Sequence, residues 1–228
     1  MKGLSNVNLR LEWVYKHPKR TARHQMISDY MSANEALLLE EDLIKTGRSV
    51  HCQFFDEDDT SWTRKELLTF LKKMETEPHQ VKAYVDGGYH KETSEAGLGM
   101  AIYYEQNGQK WRFRVNERID GIEDNNEAEY AALAYVFTMF EHLGIHHQSV
   151  TIYTDSKTLY HQMSGEWPCY EETLIRWADR IEAKAKHLGL KPTYSFIGRH
   201  LNKEADQLAS QALEGIFIEG KKEQTKKG

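Results

Sequence analysis

Residues 81–88 read VKAYVDGG, a short apolar stretch that ends in an acidic residue followed by two glycines. A short apolar run bounded by glycine is typical of a strand, so we predict a strand over residues 81–85. The side chain of Asp86 then projects at the carboxyl end of this strand, where open α/β sheets place their ligands. The stretch therefore predicts the first strand of a sheet and a candidate site at its edge.

The chain after this strand alternates between strand and helix patterns. We predict strands at 97–104, 111–115, 149–153 and 193–197, and helices at 127–143, 157–163, 171–188 and 202–213. Asn107-Gly108 is a typical hairpin turn between the second and third strands. The order βββαβααβα predicts an α/β fold, a mixed five-stranded sheet with helices on both faces.

The chain before this strand has a different character. A polar break at residues 75–80 precedes the first strand of the sheet. Upstream of it we predict a small βαβα unit, with strands at 9–15 and 49–55, one or two helical segments over 27–45, and a helix ending at Met74. Thr63 and Glu66 form the capping-box pattern that opens this last helix. We therefore predict three segments: a small α/β domain at 1–77, a second domain at 78–215, and a polar C-terminal tail at 216–228 that is frayed from residue 221.

Composition narrows the class of protein. The chain has 228 residues, 39% of them hydrophobic, which suffices for a packed core, and no apolar run long enough to cross a bilayer. Its two cysteines are far apart and form no metal or disulfide pattern, so we expect a protein of the reducing cytoplasm. The net charge of −5 argues against binding nucleic acid through bulk positive charge alone.

Four acidic residues stand where this fold would bring them together. Asp86 and Asp155 each follow a strand, and two parallel neighbouring strands would hold them side by side at roughly 5 Å. Glu129 and Asp206 lie near the starts of two predicted helices. Carboxylates crowded in this way repel one another unless cations are present, and oxygen ligands favour magnesium or manganese. Two such ions support hydrolysis of a phosphodiester.

These acids lie in four strings: YVDGG at 84–88, NNEAEY at 125–130, YTDS at 153–156 and NKEADQLA at 202–209. In this order and spacing the chain resembles the ribonuclease H type 1 family, including RNase H segments of reverse transcriptases, over about residues 81–213. The resemblance implies that Asp86, Glu129, Asp155 and Asp206 are catalytic and bind two Mg²⁺ ions, with Mn²⁺ as an alternative. The implied substrate is the RNA strand of an RNA/DNA hybrid, cut endonucleolytically to leave 5′-phosphate and 3′-hydroxyl ends. Neither a small-molecule cofactor nor a membrane partner is expected.

Further residues match positions around the family's site. Asn125 and Asn126 match a pair that contacts the substrate in the minor groove, where 2′-hydroxyls identify RNA. Gly87 and Gly88 would let the backbone approach the nucleic acid closely, and Lys157 could supply a positive contact. The loop before the last helix carries His200, near the family's loop histidine for proton transfer or product release, and Arg199, which could contact a phosphate or brace the site.

Each residue also has a plainer interpretation. Asp86 could be a turn aspartate, Asp155 a helix N-cap, and Asn125 or Asn126 a cap of the long helix. Glu127, and Glu129 taken alone, could be solvated acids of a first helical turn. At the level of function, the alternatives are a nuclease for another structured nucleic acid and a non-cleaving module that binds nucleic acid or protein. Because residues 163–171 contain no basic gripping helix, additional hybrid contacts by the N-terminal unit are a hypothesis.

Overall fold

The computed structural model describes residues 8–17, 19 and 21–224. The chain divides into two compact units with the boundary between Met74 and Glu75. Among the described residues, no helix combines the length and apolar character needed to cross a membrane.

The first unit is an antiparallel sheet with two helices. Its elements are β1 (Asn8–Lys16), β2 (Arg23–Ile27), β3 (Met31–Ser32), α1 (Ala33–Lys45), β4 (Ser49–Asp56), β5 (Ser61–Trp62) and α2 (Arg64–Thr76). The sheet order is β2-β1-β4-β5, with β3 beside β1. Side chains of β1 and β4 pack with those of α1 and α2 in one core that includes Leu9, Leu11, Phe54 and Leu67.

The predicted βαβα pattern holds for the main strands and both helices, but the prediction of helix from residue 27 is wrong. Ser32 caps α1 through a capping box with Glu35, so the helix begins at Ala33. Before it, Ile27 ends β2, whose side chains are all exposed, and Met31–Ser32 form β3. A strand without a buried face leaves no apolar alternation in the sequence, which is why it was missed. The predicted capping box at α2 is present, with the Glu66 N–H donating to Thr63 Oγ1 at 3.2 Å.

The second unit has the predicted element order with one addition. Its elements are β6 (His79–His90), β7 (Glu95–Gln106), β8 (Gln109–Asp120), α3 (Asn125–His142), β9 (Ser149–Thr154), α4 (Lys157–Met163), α5 (Glu172–His187), β10 (Lys191–Phe196), a 3₁₀ turn (Arg199–Leu201), α6 (Lys203–Leu213) and β11 (Glu219–Glu223). The sheet order is β10-β9-β6-β7-β8-β11. β6, β9 and β10 are parallel, whereas β6-β7, β7-β8 and β8-β11 are antiparallel.

Two helices lie on opposite faces of this sheet and bring their backbones close to it. Gly97 and Gly99 of β7 face α6, where a Cβ at either position would clash with backbone atoms of Ala209 or Ala205. Leu98, between these glycines, faces the other way and joins the core beneath α3 with Phe137. Because side chains alternate along a strand, α3 and α6 sandwich the sheet.

The prediction of a frayed end is wrong for residues 221–223, and the predicted five-stranded sheet has a sixth strand at Glu219–Glu223. These residues form β11, which pairs antiparallel with Trp111–Val115 of β8. The buried side chain of Asn116 fixes the approach to this strand, since it donates to the carbonyls of Leu208 and Ile216 and accepts from the N–H of Ile218. All five side chains of β11 are exposed, so its sequence is polar throughout. Residues 225–228 of the predicted tail lie outside the described residues.

Candidate active site

Two carboxylates lie side by side on neighbouring parallel strands. The β6-β9 register pairs Tyr84 with Tyr153, which places Asp86 level with Asp155, the residue that follows β9. Asp86 does not end its strand as predicted, because β6 continues to His90 in a hairpin with β7. It lies instead where the ladder to β9 stops. Asp86 is therefore in a strand rather than a turn, and the N-cap of α4 is Ser156, not Asp155.

Helices α3 and α6 carry the other two acids to this edge. Glu129 is buried just after the first turn of α3, and its Oε2 accepts a hydrogen bond from the backbone N–H of Gly87 at 3.3 Å. Asp206 lies in the first turns of α6, where its N–H donates to the carbonyl of Asn202 at 3.1 Å. The structure thus brings all four sequence-predicted acids into one cluster, from four separate elements.

The cluster is buried enough to disfavour its own charge. Burial, followed by the negative charges of Asp155 and Asp206, raises the pKa of Asp86 to about 7. Burial likewise raises the pKa of Glu129 well above its ordinary range, and the charges of Asp86 and Asp155 act in the same direction. Arg199 opposes both shifts, with its Nε 3.7 Å from Asp155 Oδ2. The single exposed guanidinium of Arg199 does not balance the charge of four carboxylates.

The donor set fits magnesium or manganese. All four groups are carboxylates, the oxygen ligands that these hard ions prefer, and their mutual repulsion is relieved by a bound cation. Within the part of the chain that the structure describes, no three His, Cys, Asp or Glu side chains already surround one point as metal ligands.

The raised pKa of Asp86 predicts how stability depends on pH in the absence of divalent metal. Between the ordinary value of 3.8 and the raised value of about 7, the folded protein holds a proton that the unfolded chain releases. Stability therefore falls as pH rises through this window, by on the order of 4 kcal/mol. Asp86→Asn removes the titrating group, so in EDTA the stability of the variant relative to the wild type should be higher at pH 8 than at pH 5. Denaturant unfolding at both pH values measures the difference; an equal difference at pH 5 and pH 8 contradicts the prediction.

Three of the predicted substrate residues lie at the starts of helices α3 and α4. Asn125 is exposed and Asn126 half-buried at the start of α3. Neither caps the helix, because the N-cap is Asp124, whose Oδ1 accepts from the Glu127 N–H at 2.8 Å. Both amide groups are thus left for other contacts. Lys157 begins α4, with its Nζ 5.8 Å from the centre of the Phe196 ring.

The two glycines after Asp86 differ from each other. A Cβ on Gly87 would lie 2.5 Å from the backbone nitrogen of Glu129 and closer still to the backbone of Ala128. The close packing of α3 on β6 therefore explains Gly87 without a ligand, and its contact with nucleic acid stays a prediction. Gly88 is half-buried, and its Cβ would be at an ordinary 3.4 Å from Leu213 Cδ1.

The remaining predicted residues lie on the 3₁₀ turn. Arg199 reaches Asp155, as described above, while its side chain is 83% exposed. His200 is also exposed. The turn therefore presents two basic or titratable side chains to solvent beside the cluster.

Two residues have roles that the sequence analysis did not assign. Glu127 is not a solvated acid: it is buried and accepts hydrogen bonds from Trp177 Nε1 at 2.9 Å and from the Glu123 N–H at 2.8 Å. Asn202 is 1% exposed and donates to Asp155 Oδ1. Asn202 lies four residues before Asp206 in the string NKEADQLA, and this spacing was the signal that could have identified it. The sequence analysis assigned a role only to Asp206 in that string.

The mixed sheet, the sandwiching helices and the four converging carboxylates define an RNase H-like protein. The sequence profile of the reverse transcriptase-like family matches residues 84–212. Uncharacterized protein YpeP of Bacillus subtilis (strain 168) is 39% identical over 191 residues, 84% of this chain and 84% of YpeP. The chain belongs to the reverse transcriptase-like family, and the resemblance to ribonuclease H type 1 is confirmed.

Solved structures show the same fold. LC11-RNase H1, isolated from compost by a metagenomic approach and crystallised with an RNA/DNA hybrid, is 25% identical with a TM-score of 0.53, over 60% of this chain and 98% of its own. RNase H1 of the halophilic archaeon Halobacterium salinarum NRC-1 is 24% identical with a TM-score of 0.50, over 59% of this chain and 98% of its own. In both comparisons, about two fifths of this chain lies outside the shared fold.

Proposed function

We propose that this protein is a metal-dependent endoribonuclease that hydrolyses the RNA strand of RNA/DNA hybrids and leaves 5′-phosphate and 3′-hydroxyl ends. The observation that carries the proposal is the meeting of four carboxylates from β6, α3, α6 and the end of β9 in one partly buried cluster. Family membership and the hybrid bound to LC11-RNase H1 support the choice of substrate. Cleavage belongs to residues 78–215 in this proposal, and residues 1–77 form a separate domain that adds contacts to the hybrid.

The chemistry needs two divalent ions, Mg²⁺ or Mn²⁺, held by Asp86, Glu129, Asp155 and Asp206. When bound, such a pair activates a water molecule and stabilises the leaving oxygen during in-line attack on phosphorus. The protein's part is to hold these carboxylates in position, since burial and their mutual repulsion favour the protonated forms of Asp86 and Glu129 until a cation binds. The Gly87 N–H favours the charged form of Glu129, and Arg199 favours the charged forms of Asp86 and Glu129.

Substrate selection falls to groups around the cluster. The amides of Asn125 and Asn126 can donate to and accept from 2′-hydroxyls in the minor groove, which distinguishes RNA from DNA. Lys157 supplies a positive contact to the nucleic acid, and Gly88 lets the backbone approach it closely. Arg199 contacts a phosphate, and His200 moves a proton or assists product release.

A substrate panel tests this function. The full-length protein is incubated with labelled RNA/DNA hybrid, duplex RNA and duplex DNA in Mg²⁺ or Mn²⁺, with EDTA as the control. We expect cleavage of the RNA strand of the hybrid alone, lost in EDTA, with products that a 5′-phosphate-dependent exonuclease then degrades. Cleavage of duplex RNA in preference to hybrid would indicate a different substrate. Binding without cleavage under either metal would indicate a non-cleaving module.

A further inference from the structure

Asn202 occupies the junction between the 3₁₀ turn and α6. It is at the N-cap of α6, a position where asparagine commonly accepts a hydrogen bond from the helix. Its side chain makes no such capping bond here. The amide is instead turned inward and is 1% exposed. The Asn202 side chain therefore makes contacts in the protein interior in place of the capping hydrogen bond.

The inward contacts join the segments that carry three of the four acids. Nδ2 donates to Asp155 Oδ1 at 2.6 Å and to the carbonyl of Val85, the residue before Asp86, at 2.9 Å. The backbone carbonyl of Asn202 accepts from the N–H of Asp206 at 3.1 Å. One residue therefore links β6, the end of β9 and the start of α6 at the level of the carboxylates.

The chemistry of the amide fixes its orientation. Both inward partners are acceptors, so only the NH₂ group can face them, and its two hydrogens match the two bonds. The other end, Oδ1, is buried without a hydrogen-bond partner among the described residues. A buried acceptor left unpaired is unfavourable. The donor contacts to Asp155 and Val85 must therefore outweigh it.

We propose that Asn202 is a positioning residue, which holds the Asp155 carboxylate and the Asp86 strand in the mutual arrangement that binds metal. This role presupposes the proposed function in one respect, namely that the carboxylate cluster binds divalent ions. A neutral donor suits the task, because it orients Asp155 without competing with a cation for its charge. Outer groups that orient metal ligands typically change metal affinity or activity by about 10- to 100-fold when removed.

Asn116 provides a matched control. It is also a buried asparagine whose Nδ2 donates two hydrogen bonds, in this case both to backbone carbonyls, and one of these, that of Leu208, belongs to α6. Its hydrogen bonds reach none of the four acids. Asn116→Ala should therefore reproduce the loss of a buried amide against α6 without disturbing Asp155.

The test compares Mn²⁺ affinity by titration calorimetry and hybrid cleavage kinetics for the full-length wild type, Asn202→Ala and Asn116→Ala, after each is shown to be folded. We expect Asn202→Ala to weaken Mn²⁺ binding by about 10-fold and to lower kcat by up to about 100-fold, with KM for hybrid nearly unchanged. Added metal should restore part of the lost activity. Asn116→Ala should keep wild-type Mn²⁺ affinity.

If Asn202→Ala does not fold, Asn202→Ser, which keeps a shorter donor, replaces it in the same comparison. Wild-type Mn²⁺ affinity in the Asn202 variant, or equal weakening in both variants, would overturn the positioning role. A wild type that binds Mn²⁺ but leaves every hybrid intact would refute the proposed function instead. The calorimetric comparison of the two asparagines does not depend on cleavage.

Discussion

Asp86→Asn should abolish cleavage of an RNA/DNA hybrid, lowering kcat by at least about 1,000-fold while the protein stays folded. The change preserves the size of the side chain and removes one of the four carboxylates that we propose as metal ligands. The pKa of Asp86 responds to the charges of both Asp155 and Asp206, so its loss should weaken the proposed cation site as a whole. Single-turnover cleavage in Mg²⁺ measures the effect.

The control for this experiment is Glu127→Gln. Glu127 is an equally buried acid, but its partners are Trp177 and the backbone of Glu123. Its replacement should affect stability and leave most of the activity. Hybrid binding by Asp86→Asn, measured by gel shift, should stay within a few-fold of wild type. Cleavage by Asp86→Asn at more than a tenth of the wild-type rate would show that Asp86 is not needed for metal-dependent chemistry.

Gly87→Ala should destabilise the protein by about 3 kcal/mol or more and eliminate the remaining activity of the folded fraction. The added methyl group meets the backbone of Ala128 and Glu129, and backbone within a helix cannot rotate away as a side chain can. The helix must move, and Glu129 moves with it. Thermal unfolding and hybrid cleavage report the two effects separately.

The neighbouring substitution, Gly88→Ala, is the matched control. Its methyl group would lie 3.4 Å from the flexible end of Leu213, so stability should change by less than about 1 kcal/mol. The same substitution at two adjacent glycines should thus cause a large loss of stability at one and a small change at the other. Similar unfolding temperatures for both variants would contradict the close packing of α3 on β6.

Much of the second unit could be predicted because its buried strands and amphipathic helices leave periodic apolar patterns. The hairpin could be predicted for a different reason, the residue types of its turn: Asn107 and Gly108 both have positive φ, of 55° and 71°. The convergence of Asp86 and Asp155 could be predicted only conditionally, because it depends on β6 and β9 being parallel neighbours. Pairing of that kind is a long-range property that no local pattern contains.

Other features of the structure have no recognisable pattern in the sequence. β2 and β11 expose every side chain, so their pairing rests on backbone hydrogen bonds rather than on residue type. Glu127 and Glu129 look equivalent in sequence, yet one accepts from the indole of Trp177 and the other from the N–H of Gly87. Which acid joins the cluster is decided by the rotation of α3 against the sheet. That rotation depends in turn on the absence of a side chain at Gly87.

The pairing of β11 with β8 has a consequence for behaviour in solution. Without these residues, the outer backbone groups of Trp111–Val115 would be open to a strand from another molecule. β11 is instead the edge strand of this sheet, and its lysines disfavour pairing with a further strand. Lys221 Nζ lies 4.2 Å from the centre of the Trp111 ring. β11 thus covers the edge of β8, and we expect a protein shortened at Ile218 to aggregate more readily even with its carboxylates undisturbed.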